Sequence, residues 1–167
     1  MSLERQQELE ERYVMHTFGR KPVEFVRGAG MVLEDDKGRA CLDFIAGIGV
    51  ISLGHCHPAV VDALRQQAEK LIHVSNYYYI EHRGEVAQLL SNMLNAYVDE
   101  PSPETWKTFF ANSGAEANEC AIKLARLYAR RRTEAAGKDA ELAPRLIVTL
   151  AKSFHGRTLA TLAATAQ

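Results

Sequence analysis

Residues 108–126 read TFFANSGAEANECAIKLAR. Hydrophobic residues ending at Ala111 predict a strand over Trp106–Ala111. Asn112-Ser113-Gly114 then forms a turn, and a long helix runs over Ala115–Arg131. A helix that starts directly after a strand presents unpaired backbone N–H groups and the positive end of its dipole. That combination suits a phosphate group. Gly114 allows close approach of an anion, and the Ser113 hydroxyl either donates to it or caps the helix. A plain strand–turn–helix with a serine cap uses the same residues, and the residues alone leave both readings open. No Gly-Lys-Ser/Thr follows, so this is not a Walker loop.

Working outward, Arg145–Leu150 reads as a second strand, followed by a loop through Ser153-Phe154-His155-Gly156-Arg157-Thr158 and a helix begun over 158–166. Strands alternating with helices predict a parallel sheet covered on both faces, an α/β architecture. In such a sheet, ligands lie beyond the carboxyl ends of the strands, so the two loops open onto one edge. There Phe154 suits stacking on a planar ring and Arg157 suits a carboxylate. A core phenylalanine and a solvated arginine are the alternative for either residue taken alone.

Upstream, residues 2–16 predict a polar helix, followed by short strands at Val23–Arg27, Met31–Glu34 and Ala40–Phe44. Turns at Gly28-Ala29-Gly30 and Asp35-Asp36-Lys37-Gly38 join them into a small β-meander. The stretch AGIGVISLGHCHPAV is too irregular for a helix until Pro58, which opens a helix faced by Val61, Leu64, Ala68, Leu71 and Ile72. Another helix covers 82–97, and Pro101 and Pro103 close that section. Helix capping or turn packing is the expected role of Gly54-His55-Cys56-His57-Pro58, and no metal site is expected. Neither Gly28-Ala29-Gly30 nor Gly47-Ile48-Gly49 continues into a dinucleotide fingerprint.

Composition narrows the classes. Among 167 residues, 47% are hydrophobic and 25% charged, with a net charge of −1, which describes a globular chain and disfavours a nucleic-acid partner. The longest nearly apolar run, Phe44–Leu53, is half of the roughly 20 residues a membrane helix requires. Cys41, Cys56 and Cys120 form no C-x-x-C pair, which favours reduced thiols and a cytoplasmic location.

Three stretches, LDFIAGIGVISLGHCHPAVVDAL (42–64), ANSGAEANECAIKLAR (111–126) and SFHGRTLATLAATAQ (153–167), together resemble the class III pyridoxal-phosphate-dependent aminotransferases. The resemblance runs from about Val23 to Gln167 and is greatest to the acetylornithine branch, with the ornithine enzymes as cousins. It implies the N-terminal part of a fold-type I transferase, with a mostly parallel sheet flanked by helices and a small N-terminal β-meander. Residues 1–56 would belong to the small domain and 57–167 to the beginning of the large cofactor-binding domain, incomplete at the C-terminus.

The resemblance further implies pyridoxal 5′-phosphate as cofactor, amino-acid and 2-oxo-acid substrates, a homodimer and a place in arginine metabolism. Ser113, Gly114 and Ala115 match the phosphate seat and Phe154 the ring cover. Arg157 matches the arginine that receives a substrate carboxylate, and Tyr79 a residue lining the substrate entrance. His155 favours the acetylornithine branch, whereas Ile80-Glu81-His82 departs from it. The expected reaction moves the terminal amino group of N-acetylornithine to 2-oxoglutarate. Ornithine, succinylornithine and 4-aminobutyrate are the alternative donors, and a non-catalytic phosphate-binding fragment is the alternative of another class. The family's Schiff-base lysine is expected beyond Gln167, so these 167 residues by themselves are expected to be inactive.

Overall fold

The computed structural model describes residues 2–98 and 106–165. Pro101, Pro103 and the last residue of the helix expected over 158–166 lie outside them. The chain divides into two units, 1–78 and 79–167.

In the first unit, helix α1 (Leu3–Tyr13) precedes three strands, β1 (Phe25–Ala29), β2 (Val32–Asp35) and β3 (Ala40–Leu42). They form the expected antiparallel meander in the order β1-β2-β3, with Arg27 opposite Glu34 and Leu33 opposite Cys41. The β2–β3 turn is organised by Asp35, whose buried carboxylate accepts the N–H groups of Lys37 at 3.0 Å and Arg39 at 2.8 Å. Its second oxygen takes the Arg39 Nε at 2.6 Å. Burial alone raises the Asp35 pKa, but these donors together lower it below the ordinary carboxylate range. From the same turn, Asp36 accepts the Leu3 N–H at the start of α1 at 3.2 Å.

Element α2 (Ala46–Gly49) is a four-residue turn in which Gly47 and Ile48 are left-handed, in keeping with the irregularity expected there. His55 fastens the loop after α2 to the meander. Its Nε2 lies 2.8 Å from Asp43 Oδ2, and its backbone bridges to Gly30. Gly28 makes room for this ring, because a Cβ there would stand 2.8 Å from His55 Cγ. The other Asp43 oxygen accepts the N–H groups of Ile45 and Ala46. The His55 bond, and then these two amides, hold the Asp43 carboxyl below its ordinary value. Pro58 opens α3 (Pro58–Lys70), as its missing N–H and fixed φ favour.

The second unit contains α4 (Arg83–Ala96), α5 (Gly114–Ala135), a 3₁₀ turn (Ala140–Leu142) and α6 (Leu159–Ala164). Helix α5 continues a turn past the expected Arg131, with Arg130 paired to Glu134 at 3.0 Å in its last turn. The buried Ser91 hydroxyl of α4 accepts the Trp106 N–H at 3.1 Å, and the Trp106 indole donates to Asn95 at 2.8 Å.

One local expectation is corrected. Segments 106–111 and 145–150 form no strand pairing among the described residues. A parallel strand draws its hydrogen bonds from neighbours on both sides, and here neither segment has one. The second segment still shows two faces, since Leu146 and Val148 are more than 90% exposed while Ile147 between them is 44% exposed. Its side chains keep the alternation of a strand without the ladder.

Candidate functional site

The site grows from the start of α5. Ser113 is the N-cap, with extended φ and ψ, and its hydroxyl oxygen accepts the Glu116 N–H at 3.1 Å. The Glu116 carboxylate reaches back to the Asn112 N–H at 2.6 Å. This reciprocal arrangement explains why Ser-Gly-Ala-Glu starts a helix at this position. It leaves the Ser113 O–H hydrogen available for donation.

The N–H groups of Gly114 and Ala115 donate to no partner among the described residues. Both belong to the first helical turn, whose amides have no carbonyl to reach within the helix. A Cβ built on Gly114 would meet nothing within 4 Å. Two donors without a partner among the described residues lie beside an exposed serine hydroxyl, a donor set that fits a phosphate group. The chain's own packing does not account for glycine at 114.

The loop after Leu150 is seated against this turn. The His155 carbonyl accepts the Asn118 amide of α5 at 2.8 Å, and the His155 N–H donates to the Thr165 hydroxyl at 3.0 Å. Gly156 is buried with φ +128°, and a Cβ there would lie 2.7 Å from the Ala115 Cβ and 2.7 Å from the Thr161 Oγ1. Only glycine permits both this backbone conformation and this contact. The Thr158 hydroxyl donates to Glu119 at 2.6 Å, and its N–H donates to the fully buried Thr161 at 3.0 Å.

The structure thus brings Ser113, Gly114 and Ala115 together with the loop carrying Phe154 and Arg157. Phe154 is 58% exposed, and an aromatic ring of this kind can cover a planar group. Arg157 is exposed at the start of α6. Tyr79 is not drawn in, because its side chain is fully exposed. Sequence reasoning missed Asn118 and the threonines that hold the loop. The spacing of Thr158, Thr161 and Thr165 at i, i+3 and i+7 was the available signal, since it places three hydroxyls on one helical face.

Comparison with known proteins gives a consistent answer. The family profile described as Aminotransferase class-III matches residues 14–167. The acetylornithine aminotransferase of Caldanaerobacter subterraneus subsp. tengcongensis is 49% identical over 158 residues, covering 95% of this chain and 36% of that protein. The crystal structure of acetylornithine aminotransferase from Elizabethkingia anophelis superposes with a TM-score of 0.73 at 35% identity, covering 93% of this chain and 35% of the other. An ornithine aminotransferase from Toxoplasma gondii, with partial occupancy of PLP at its active site, gives a TM-score of 0.75 at 28% identity. That match covers 95% of this chain and 34% of the other. The chain spans about a third of the length of the curated relatives it matches.

Proposed function

The chain belongs to the class III aminotransferases and has the fold of part of a PLP-dependent transferase, and on that premise we propose that it is the N-terminal portion of an acetylornithine aminotransferase. The full-length protein moves the terminal amino group of N-acetylornithine to 2-oxoglutarate, as a cytoplasmic homodimer serving arginine metabolism. Residues 1–56 fall to its small domain, and residues 57–167 begin the cofactor-binding domain.

The observation that carries this reading is the seating of the 154–157 loop on the start of α5, where two N–H groups have no partner among the described residues. Gly114 and Ala115 would hold the cofactor phosphate through those donors, with the Ser113 hydroxyl beside them. Phe154 would cover one face of the pyridine ring. When bound, pyridoxal phosphate supplies an electron sink that stabilises negative charge at the substrate carbon. Arg157 would fix a substrate carboxylate in a fork, for which guanidinium geometry is better suited than an ammonium group. Tyr79 would reach the substrate entrance only in the assembled enzyme. The lysine that carries the cofactor in this family is expected outside residues 1–167.

Steady-state rates of the full-length protein with N-acetylornithine, ornithine, succinylornithine and 4-aminobutyrate test the substrate. N-acetylornithine should give the highest kcat/KM, and a clear preference for another donor would replace it. In the same assay Arg157→Ala should raise KM for carboxylate substrates about ten- to a hundredfold, the scale of a lost hydrogen bond to a charged group. Unchanged KM values would remove Arg157 from this role.

A further inference from the structure

Phosphate seat and ring cover come from segments about 40 residues apart in sequence, yet one rigid ligand must meet both. Their spacing is set by the backbone of His155, the residue between Phe154 and Gly156. It is held at both ends, by Asn118 of α5 on its carbonyl at 2.8 Å and by Thr165, just past α6, on its N–H at 3.0 Å. Asn118 lies one turn behind Gly114, on the helix that supplies the phosphate donors. Gly156 then presses on Ala115 so closely that no side chain fits between them.

From this geometry we infer that Asn118 is a positioning residue, which sets the distance between the phosphate donors of Gly114 and Ala115 and the ring cover of Phe154. The inference rests on the proposed cofactor seat. Its physical content is selective. Asn118 touches neither end of the ligand, so losing its bond leaves a phosphate seat intact. The loss falls on the gain from engaging phosphate and ring at once, because the loop then drifts relative to the helix. The carbonyl of His155 would also be left without its partner, which favours the drift.

Two probes separate these effects on the full-length apoprotein. Inorganic phosphate reports the seat alone. Pyridoxine 5′-phosphate carries phosphate and ring but no aldehyde, so its affinity is independent of any lysine. Asn118→Leu keeps the approximate size and removes the amide donor without adding charge, and Asn118→Ala removes both. In each variant the affinity for inorganic phosphate should stay within about twofold. The affinity for pyridoxine 5′-phosphate should fall about five- to tenfold, the scale of one lost hydrogen bond.

Unchanged affinity for both probes would overturn the inference. Equal weakening of both would also overturn it, since that is the mark of a general structural role. If the unsubstituted protein binds neither probe, the cofactor seat itself is wrong, and the inference falls with it for a distinguishable reason.

Discussion

The Ser113 hydroxyl accepts the Glu116 N–H, while the Glu116 carboxylate accepts the Asn112 N–H, so each side chain satisfies a donor near the other. The exchange leaves the Gly114 and Ala115 amides without a partner among the described residues. Ser113→Ala should therefore destabilise the protein by about 1 kcal/mol, and Ser113→Gly by only a few tenths. Thermal unfolding of the two variants checks this, and an alanine variant as stable as the parent would show that the cap contributes nothing. At this scale the sequence was readable where a residue's role is local. Ser113, Gly114 and Ala115 announce themselves because a cap and two free amides follow from three adjacent positions. Asn118 does not, because its partner His155 lies 37 residues away and only the fold brings them together.

The elements divide in the same way. Helices α3, α4 and α5 follow their apolar periodicity, and α3 and α5 also follow the start signals Pro58 and Ser113, all written into neighbouring residues. The meander follows from its turns, since the Asp35 carboxylate and the Gly38-to-Asp35 backbone bond form the β2–β3 reversal from adjacent residues. Segments 106–111 and 145–150 carry strand character, but a strand needs a neighbour, and periodicity cannot supply one. The Gly54–Pro58 loop shows how a motif suggestive of ligation becomes a fastener, with His55 held by Asp43 against the meander. Because the folded state depresses the Asp43 pKa, the stabilisation it contributes is present above its unfolded value and is lost as pH falls through the folded value. The fastener should thus hold at neutral pH and loosen below about pH 4. Unfolding midpoints at pH 3 and pH 6 should differ less for Asp43→Asn than for the parent. An equal difference in both proteins would contradict this.

For the molecule as a whole, the telling quantity is surface. The chain exposes 14694 Å², whereas 167 residues packed as one or two compact bodies expose about 8,200–9,900 Å². No apolar side chain among the described residues is buried, and Asp35, Ser91 and Thr161 are the buried polar ones. So much uncovered apolar surface goes with a chain that spans about a third of the length of its relatives. Composition could not reveal this, because 47% hydrophobic residues go equally well with buried and with exposed apolar side chains. The central claim is that residues 113–115 and 154–157 form one cofactor seat. It is tested most directly by amide hydrogen exchange along the full-length apoprotein, with and without pyridoxal 5′-phosphate. Exchange should slow together in peptides covering 112–118 and 153–158. Protection elsewhere, with both of these stretches unchanged, would contradict it.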